Sequence, residues 1–408
     1  NSDLQLEPST YPFPTINKIF ADIQFVHVSN AVIAFIFAAS APVAIILGVG
    51  TKGGLSEFDM ASWIFGAFAL NGIIGIIVSI TYRQPLVFFW TISGTVLVGP
   101  ALEHLTFPEV IGAFYGTAIL LLVLGLTGWV KRIMAILPMP IIMAMVAAVF
   151  LQFSLNWIKA IGENPWIAVP MTFAFVLLSL NGQLSLRIPP MIGVLVVGVI
   201  MVVLTGSFDL VGNLNLSITK PKIYMPIFSW AAIFELVVPL AVTVLAAQNA
   251  QGIAILRKNK HNPPINSITA VCGGASLITA LFGAVSTCLT GPVNAILSSS
   301  GKIHQQYTAA IVICSLAILF GIYAPLFTKL MLATPSAFIA TLAGLALLRV
   351  LQTSFKDSFG GSFTLGALIS FLVTIVDQSI FNIGAPFWGL VCGFFTSWLL
   401  EREDFKKM

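Results

Sequence analysis

The chain has 408 residues, of which 58% are hydrophobic and only 8% charged. Soluble domains carry about a quarter charged residues, so this composition excludes a water-soluble globular protein and leaves an integral membrane one. The formal net charge of +4 is informative through its placement along the chain and does not mark a nucleic-acid-binding protein.

Residues 1–26 are polar and mixed, without the basic, apolar, small-residue order of a signal peptide. Fourteen hydrophobic runs follow, near 27–49, 58–80, 87–103, 108–129, 133–156, 164–181, 188–206, 229–252, 265–282, 285–300, 307–327, 333–351, 362–378 and 384–400. Runs of about twenty residues separated by short polar breaks predict helical spans, not the alternating ten-residue strands of a barrel. The expected fold is therefore all-α, with fourteen transmembrane segments. The longest polar connection, 207–228, falls between spans seven and eight, and 401–408 closes the chain as a polar tail.

That long connection separates two repeats. Gly94 and Gly291 are 197 residues apart, as are Pro138 and Pro335, while Pro190 and Pro386 are 196 apart. The last pair opens matching P-x-x-G patterns, PMIGVLVVG and PFWGLVCG. Three landmarks at offsets within one residue of each other and in one order predict a first repeat over 27–206 and a second over 229–400. Seven crossings per repeat is odd, so the second repeat enters from the opposite side and the two are inverted, as in many secondary transporters. With both termini placed in the cytoplasm, inside segments hold 14 of the 19 Lys and Arg residues and outside loops hold 5. That is the bias expected of a multi-pass protein of the cell (inner or plasma) membrane.

Spans three and ten are the shortest, and each is broken at a glycine: residues 90–100 (WTISGTVLVGP) and 286–295 (STCLTGPVNA). Bilayer interior tolerates interrupted helix only where the freed backbone is buried in protein or lines a cavity. Paired interruptions in two halves point to a binding site near the midplane. A helix beginning there presents unpaired N–H groups and its positive dipole end, which can hold an anion without lysine or arginine. If both half-helices point inward, Ser93, Thr95, Thr287 and Thr290 converge as hydroxyl donors around Gly94 and Gly291. The competing reading is that the glycines only allow close helix packing.

Span eight adds the adjacent amides Gln248 and Asn249 in an apolar helix; each needs a partner, either as interhelical glue or at the substrate. Phe88, Phe89 and Trp90 precede the first break and could flank an aromatic ligand. Proton carriers would be sought among Glu235, Asp377 and Glu103, although their places near span ends predict solvated carboxylates. Four histidines lie near predicted membrane boundaries without metal spacing, and four cysteines lie in apolar stretches without a C-x-x-C pair. Without a P-loop, a dinucleotide fingerprint or a metal motif, no cofactor is expected, and no enzyme activity.

Several stretches resemble the benzoate:proton symporter family of BenE type, over about residues 20–400. They are VPLAVTVLAAQNAQGIAILRKNKHNPP around span eight, YRQPLVFFWTISG at span three, GAFYGTAILLLVLGLTGW at span four and NIGAPFWGLVCG at the last span. The family resembles a branch of the fold shared by uracil/xanthine permeases and sulfate/bicarbonate transporters. That resemblance implies short extended strands before the half-helices of spans three and ten. It implies a core domain of spans 1–4 and 8–11 (about 27–129 and 229–327) and a gate domain of spans 5–7 and 12–14 (about 133–206 and 333–400). It also implies an elevator-like shift of the core, a homodimer through the gate, and a substrate held between the strands against Gln248. The segment FGAVSTCLTGPVNA departs from the usual family pattern, which has a histidine and an asparagine near Val285 and Cys288.

The function these readings imply is proton-coupled symport of a small aromatic carboxylate such as benzoate. The alternatives are a nucleobase permease or an inorganic-anion exchanger or channel. The partners are a small anionic substrate, protons and the lipid bilayer.

Overall fold

The computed structural model describes residues 5–408 apart from Pro189, Ser379 and Asn382. Among the described residues seven helical segments are long and apolar enough to cross a membrane: α1 (Phe25–Lys52), α2 (Glu57–Tyr82), α4 (Phe107–Thr127), α5 (Met139–Glu163), α8 (Trp230–Arg257), α11 (Ile303–Ile322) and α12 (Ser336–Phe359). Six apolar helices are shorter: α3 (Ile92–Ala101), α6 (Pro165–Leu180), α7 (Pro190–Leu204), α9 (Ile265–Ala280), α13 (Thr364–Val376) and α14 (Ala385–Leu400). A further short helix, the seven-residue α10 (Gly291–Leu297), follows the second broken segment.

Local chemistry sets many of the boundaries. Capping boxes start α2 at Ser56/Asp59 and α4 at Thr106/Glu109, each satisfying two otherwise free N–H groups. Gly128 ends α4 with φ 72°, and Arg83 ends α2 with φ 49°. The fifth hydrophobic run starts later than its composition suggests. Trp129–Ile136 is a separate short helix, and Pro138 and Pro140 restart the chain as α5. Likewise α11 stops at Ile322, and Ala324–Leu332 forms its own helix with Pro325 in the first turn.

The larger helix contacts include one of α12 on α1. α4 packs on α9, and α11 on α1 and α2; α5 packs on α12 and α13, α6 on α7, and α13 on α14. The α4–α9 contact is close because Gly125 faces the Ala270 backbone and Gly273 faces that of Leu122, leaving no space for a side chain at either glycine.

Both ends of the bundle are covered. Glu7 accepts hydrogen bonds from the Asn266 and Ser267 N–H groups (2.9 Å each) at the start of α9. Burial pushes its pKa up, but these bonds outweigh burial and hold the carboxyl below its ordinary value. At the other end the 207–228 connection lies over α2 and α4. There the Lys222 N–H donates to Ser62 Oγ, the Ile227 N–H donates to the Pro108 carbonyl, and the Tyr224 hydroxyl donates to Asp59.

Candidate functional site

The two broken segments meet. β1 (Phe88–Trp90) and β2 (Thr287–Leu289) form an antiparallel pair, with Phe88 opposite Leu289, Phe89 opposite Cys288 and Trp90 opposite Thr287. The Thr91 N–H donates to the Ser286 carbonyl (3.0 Å), and the Thr290 N–H donates to the Val87 carbonyl (3.1 Å). Every residue of both strands is buried, so pairing is what satisfies their backbones in an apolar interior. α3 leaves one end of this ladder and α10 the other. Thr91 and Thr290, the two N-caps, are four residues apart in register, roughly 13 Å along the strands. One carboxylate therefore reaches one helix start, not both.

α8 runs beside the pair and is wound irregularly there. π-helical segments occupy Ile233–Val237 and Thr243–Asn249, and such segments recur at functional sites. α1 is also interrupted, at Ser40 between Ala39 and Ala41. Its first half packs on α10 and its second half on α3, so the break lies where the helix crosses from one half-helix to the other. The Ser-Ala-Pro sequence at 40–42 is the signal for this third interruption. Spacing between the repeats does not reveal it.

The predicted site residues divide into those already satisfied and those left open. Asn249 is satisfied: its Oδ1 accepts from the Leu289 N–H (2.8 Å), and its amide nitrogen lies 3.6 Å from Cys272 Sγ. The Thr287 hydroxyl donates to Asn71 Oδ1 (2.9 Å), and that of Thr95 to the Thr91 carbonyl (2.8 Å). Phe89 and Trp90 are buried in a ring cluster, with centroids 5.4 and 4.8 Å from that of Phe68. Ser93 Oγ, Thr290 Oγ1, Ser286 Oγ and Asn71 Nδ2 are buried without a hydrogen-bond partner. Gln248 is buried, and its amide has no partner among the described residues. Buried polar groups are almost always paired, so this set calls for a polar ligand or water. Asn71, a lone amide in the apolar stretch FALNGII, is absent from the predicted set.

Gly94 and Gly291 mark close approaches. A Cβ on Gly94 would lie 2.8 Å from Leu240 Cδ2 and 3.2 Å from Thr243 Oγ1 of α8. One on Gly291 would meet the Gln251 side chain, with Oε1 at 2.6 Å.

A cavity of about 630 Å³ opens beside α3, lined by Val96, Leu97 and Pro100, by Gln152 and Asn156 of α5, and by Asp377. Lys52 and Glu103, 4.0 Å apart and both exposed, stand on its wall. Glu103 and Asp377 are thus solvated, as expected. Glu235 overturns that expectation. It is buried on the first π-helical segment, with Oε2 2.6 Å from His104 Nε2. Its position near a span end suggested water, but the turn after α3 folds back over it. Among the described residues no group of three His, Cys, Asp or Glu side chains is placed to hold a metal ion.

A helical bundle with two half-helices starting from a buried strand pair defines a multi-pass membrane protein of the anion-transporter fold. The structure is similar to the transmembrane domain of the cyanobacterial bicarbonate transporter BicA, with TM-score 0.58 and 14% identity over 91% of this chain and 98% of that one. It is also similar to the murine anion transporter Solute Carrier 26 family member A9 in its inward-facing state. That match has TM-score 0.57 and 13% identity, over 98% of this chain and 74% of the other. Residues 21–399 match the model of the BenE family, the benzoate membrane transport proteins, and the chain belongs to that family. It is 28% identical to the benzoate membrane transport protein of Acinetobacter baylyi, over 91% of this chain and 94% of the relative. It is 27% identical to the inner membrane protein YdcO of Escherichia coli, over 88% and 90%. The family is one of membrane transporters and not an enzyme class.

Proposed function

We propose that this protein carries a small aromatic carboxylate of the benzoate class across the cell membrane by proton-coupled symport. The observation that carries the site is the pair of buried, unpartnered hydroxyls, Ser93 and Thr290, at the two ends of the strand ladder. The substrate carboxylate sits at the start of the ten-residue α3, where Ser93 donates to it and the helix dipole favours its charge. The ring extends along the ladder toward Thr290 and Gly291, and Gln248 fixes its orientation. Gly94 keeps α8 close enough to wall the site, and Thr95, Thr287 and Asn249 act by holding its frame. Phe89 and Trp90 form the aromatic side of the ladder.

The architecture we propose is fourteen spans in two inverted repeats of seven, with both termini in the cytoplasm. Two further elements support the repeat: the short helices Trp129–Ile136 and Ala324–Leu332 stand at nearly the same offset as the broken segments and precede α5 and α12. The extensive packing of α5 with α12 and α13, of α6 with α7 and of α13 with α14 supports a gate domain that stays fixed while a core of α1–α4 and α8–α11 moves, with dimerisation through the gate. The cavity between α3 and α5 lies on that boundary.

Purified protein in proteoliposomes tests the reading. Labelled benzoate should exchange against internal benzoate at rates well above those of empty vesicles, and benzoate should raise the melting temperature. Exchange equal to empty vesicles removes the benzoate assignment. Stabilisation by uracil or xanthine alone would favour a nucleobase permease, and current without organic substrate would favour an inorganic-anion channel.

A further inference from the structure

A buried ionisable pair outside the proposed substrate site joins the end of α3 to α8. His104 sits in the turn that follows α3, and its Nε2 lies 2.6 Å from Glu235 Oε2. Glu235 is only 3% exposed, whereas the His104 side chain retains 21% exposure. The carboxylate also lies against Gly384, the N-cap of α14, where any Cβ would collide with it. A buried carboxylate thus joins three elements: the end of α3, the irregular part of α8 and the start of a sixteen-residue helix.

We propose that the His104–Glu235 pair is the binding site of the coupling proton, and that the unprotonated pair latches α8 to the N-terminus of α14. The proposal rests on the proton-coupled reading above and names where its proton binds. With neutral imidazole and ionised carboxylate the pair carries one negative charge. The N–H groups and positive dipole end of α14 favour that charge. One proton taken from water through the exposed edge of His104 brings the pair to zero net charge, as imidazolium–carboxylate or as imidazole–carboxylic acid. No other bond forms, and the same proton leaves on the opposite side. Neutralisation weakens the hold on α14 and frees α8 to shift. One benzoate anion and one proton then cross together, so each cycle transfers no net charge across the membrane and the moving part carries the same charge loaded and empty.

The other charged groups around the pair fit this role. Glu109 at the start of α4 and Glu103 at the end of α3 are carboxylates, as is Asp377 after α13, and Lys52 at the end of α1 lies against Glu103. Glu103 and Lys52 are paired with each other in solvent at 4.0 Å. Glu109 is held in its own capping box, and Asp377 is exposed. Glu235 is the buried member of the set, so its charge state is the one that bears on packing between α8 and α14.

The test compares wild type, E235Q, H104Q and G384A in proteoliposomes containing a pH-sensitive dye. In wild type, an inward proton gradient should drive benzoate accumulation and benzoate should drive dye acidification. E235Q and H104Q should lose gradient-driven accumulation and acidification at least tenfold, while benzoate exchange falls much less. G384A, which displaces the carboxylate from α14, should flatten the pH dependence of exchange. Infrared titration gives a readout independent of transport: a protonated-carboxyl band or imidazolium signal present in wild type should be absent in E235Q and H104Q, respectively. Undiminished gradient-driven accumulation in E235Q, or a titration identical in wild type and both variants, overturns the assignment. If wild type moves no benzoate yet shows the titration, the benzoate reading fails and the proton site stands.

Discussion

The segments that open α3 and α10 occupy matching places in the two halves, yet they begin their helices by different means. Thr91 caps α3 with its own side chain, accepting from the Gly94 N–H at 3.1 Å, and is tied to α8 through the Thr243 hydroxyl at 3.1 Å. Thr290 makes no such cap; Pro292 stands in the first turn of α10 and removes one N–H from the requirement. In place of the cap, Asn294 anchors the segment, with Oδ1 accepting from the Val87 N–H (3.1 Å) and Nδ2 donating to the Thr290 carbonyl (2.7 Å). The first helix start is thus held by α8 and the second by the opposite strand. Repeated geometry does not require repeated chemistry, and the difference leaves Ser93 free at one end and Thr290 free at the other.

Substitutions at the two glycines should separate these starts most strongly. Gly94→Leu has no space against Leu240 and Thr243 and is expected to prevent recovery of folded protein. The milder Gly94→Ala should cost about 1–3 kcal/mol, seen as a lower melting temperature in detergent. Gly291→Ala meets only the flexible Gln251 side chain and should cost less than about 1 kcal/mol, while Gly291→Leu should fold and lose benzoate binding. Equal losses of stability at the two glycines would break the comparison.

Next in size are the polar groups. Ser93→Ala should weaken benzoate binding about tenfold or more, as expected for a hydrogen bond to a charged group worth about 1.5–3 kcal/mol. It should leave the melting temperature of the empty protein unchanged or raised. Asn249→Leu should show the reverse pattern. It strips the Leu289 N–H of its partner, at about 1–3 kcal/mol of stability, and lowers the melting temperature whether or not benzoate is present. If Ser93→Ala destabilises the empty protein as much as Asn249→Leu does, Ser93 belongs to the frame and not the site.

Smaller effects sharpen the contrast in capping. Thr91→Ala should lose about 1 kcal/mol of stability, whereas Thr290→Ala removes no cap and should act on binding alone. The smallest effect lies away from both starts. Glu7 has a depressed folded-state pKa, so its contribution to stability is present above the ordinary value of 4.5 and disappears as pH falls through the lower folded value. Wild type and E7Q should differ in melting temperature near neutral pH, and the difference should shrink as pH falls below the ordinary carboxyl value of 4.5. A constant difference down to pH 3 would show that the carboxylate does not anchor α9.

The hydrophobic runs and their helical character were legible because each run is about as long as a bilayer is thick. The places of the two helix breaks were legible too, since glycine and proline act locally. The short helices at Trp129–Ile136 and Ala324–Leu332 were hidden inside apolar runs, because hydropathy does not register a change of axis at a proline. At the site, the residue types pointed to hydroxyls and amides without saying which were already spent. Gln248 and Asn249 are neighbours in sequence with opposite fates, because successive residues of a helix point to different sides and only Asn249 meets the edge of β2.

From the sequence alone came membrane residence, helical class, membership in a recognisable family pattern and the two positions where helices begin inside the bundle. These follow from composition and from residues whose backbone preferences are intrinsic. Only the tertiary structure decided which buried polar atoms find partners, that the break of α1 at Ser40 falls where it crosses from one half-helix to the other, and that Glu235 is buried against His104 and α14. Those outcomes depend on contacts between residues far apart in the chain, such as Asn71 with Thr287, 216 positions away, and His104 with Glu235, 131 positions away. No local preference encodes such a distance; it is set when the two halves pack against each other.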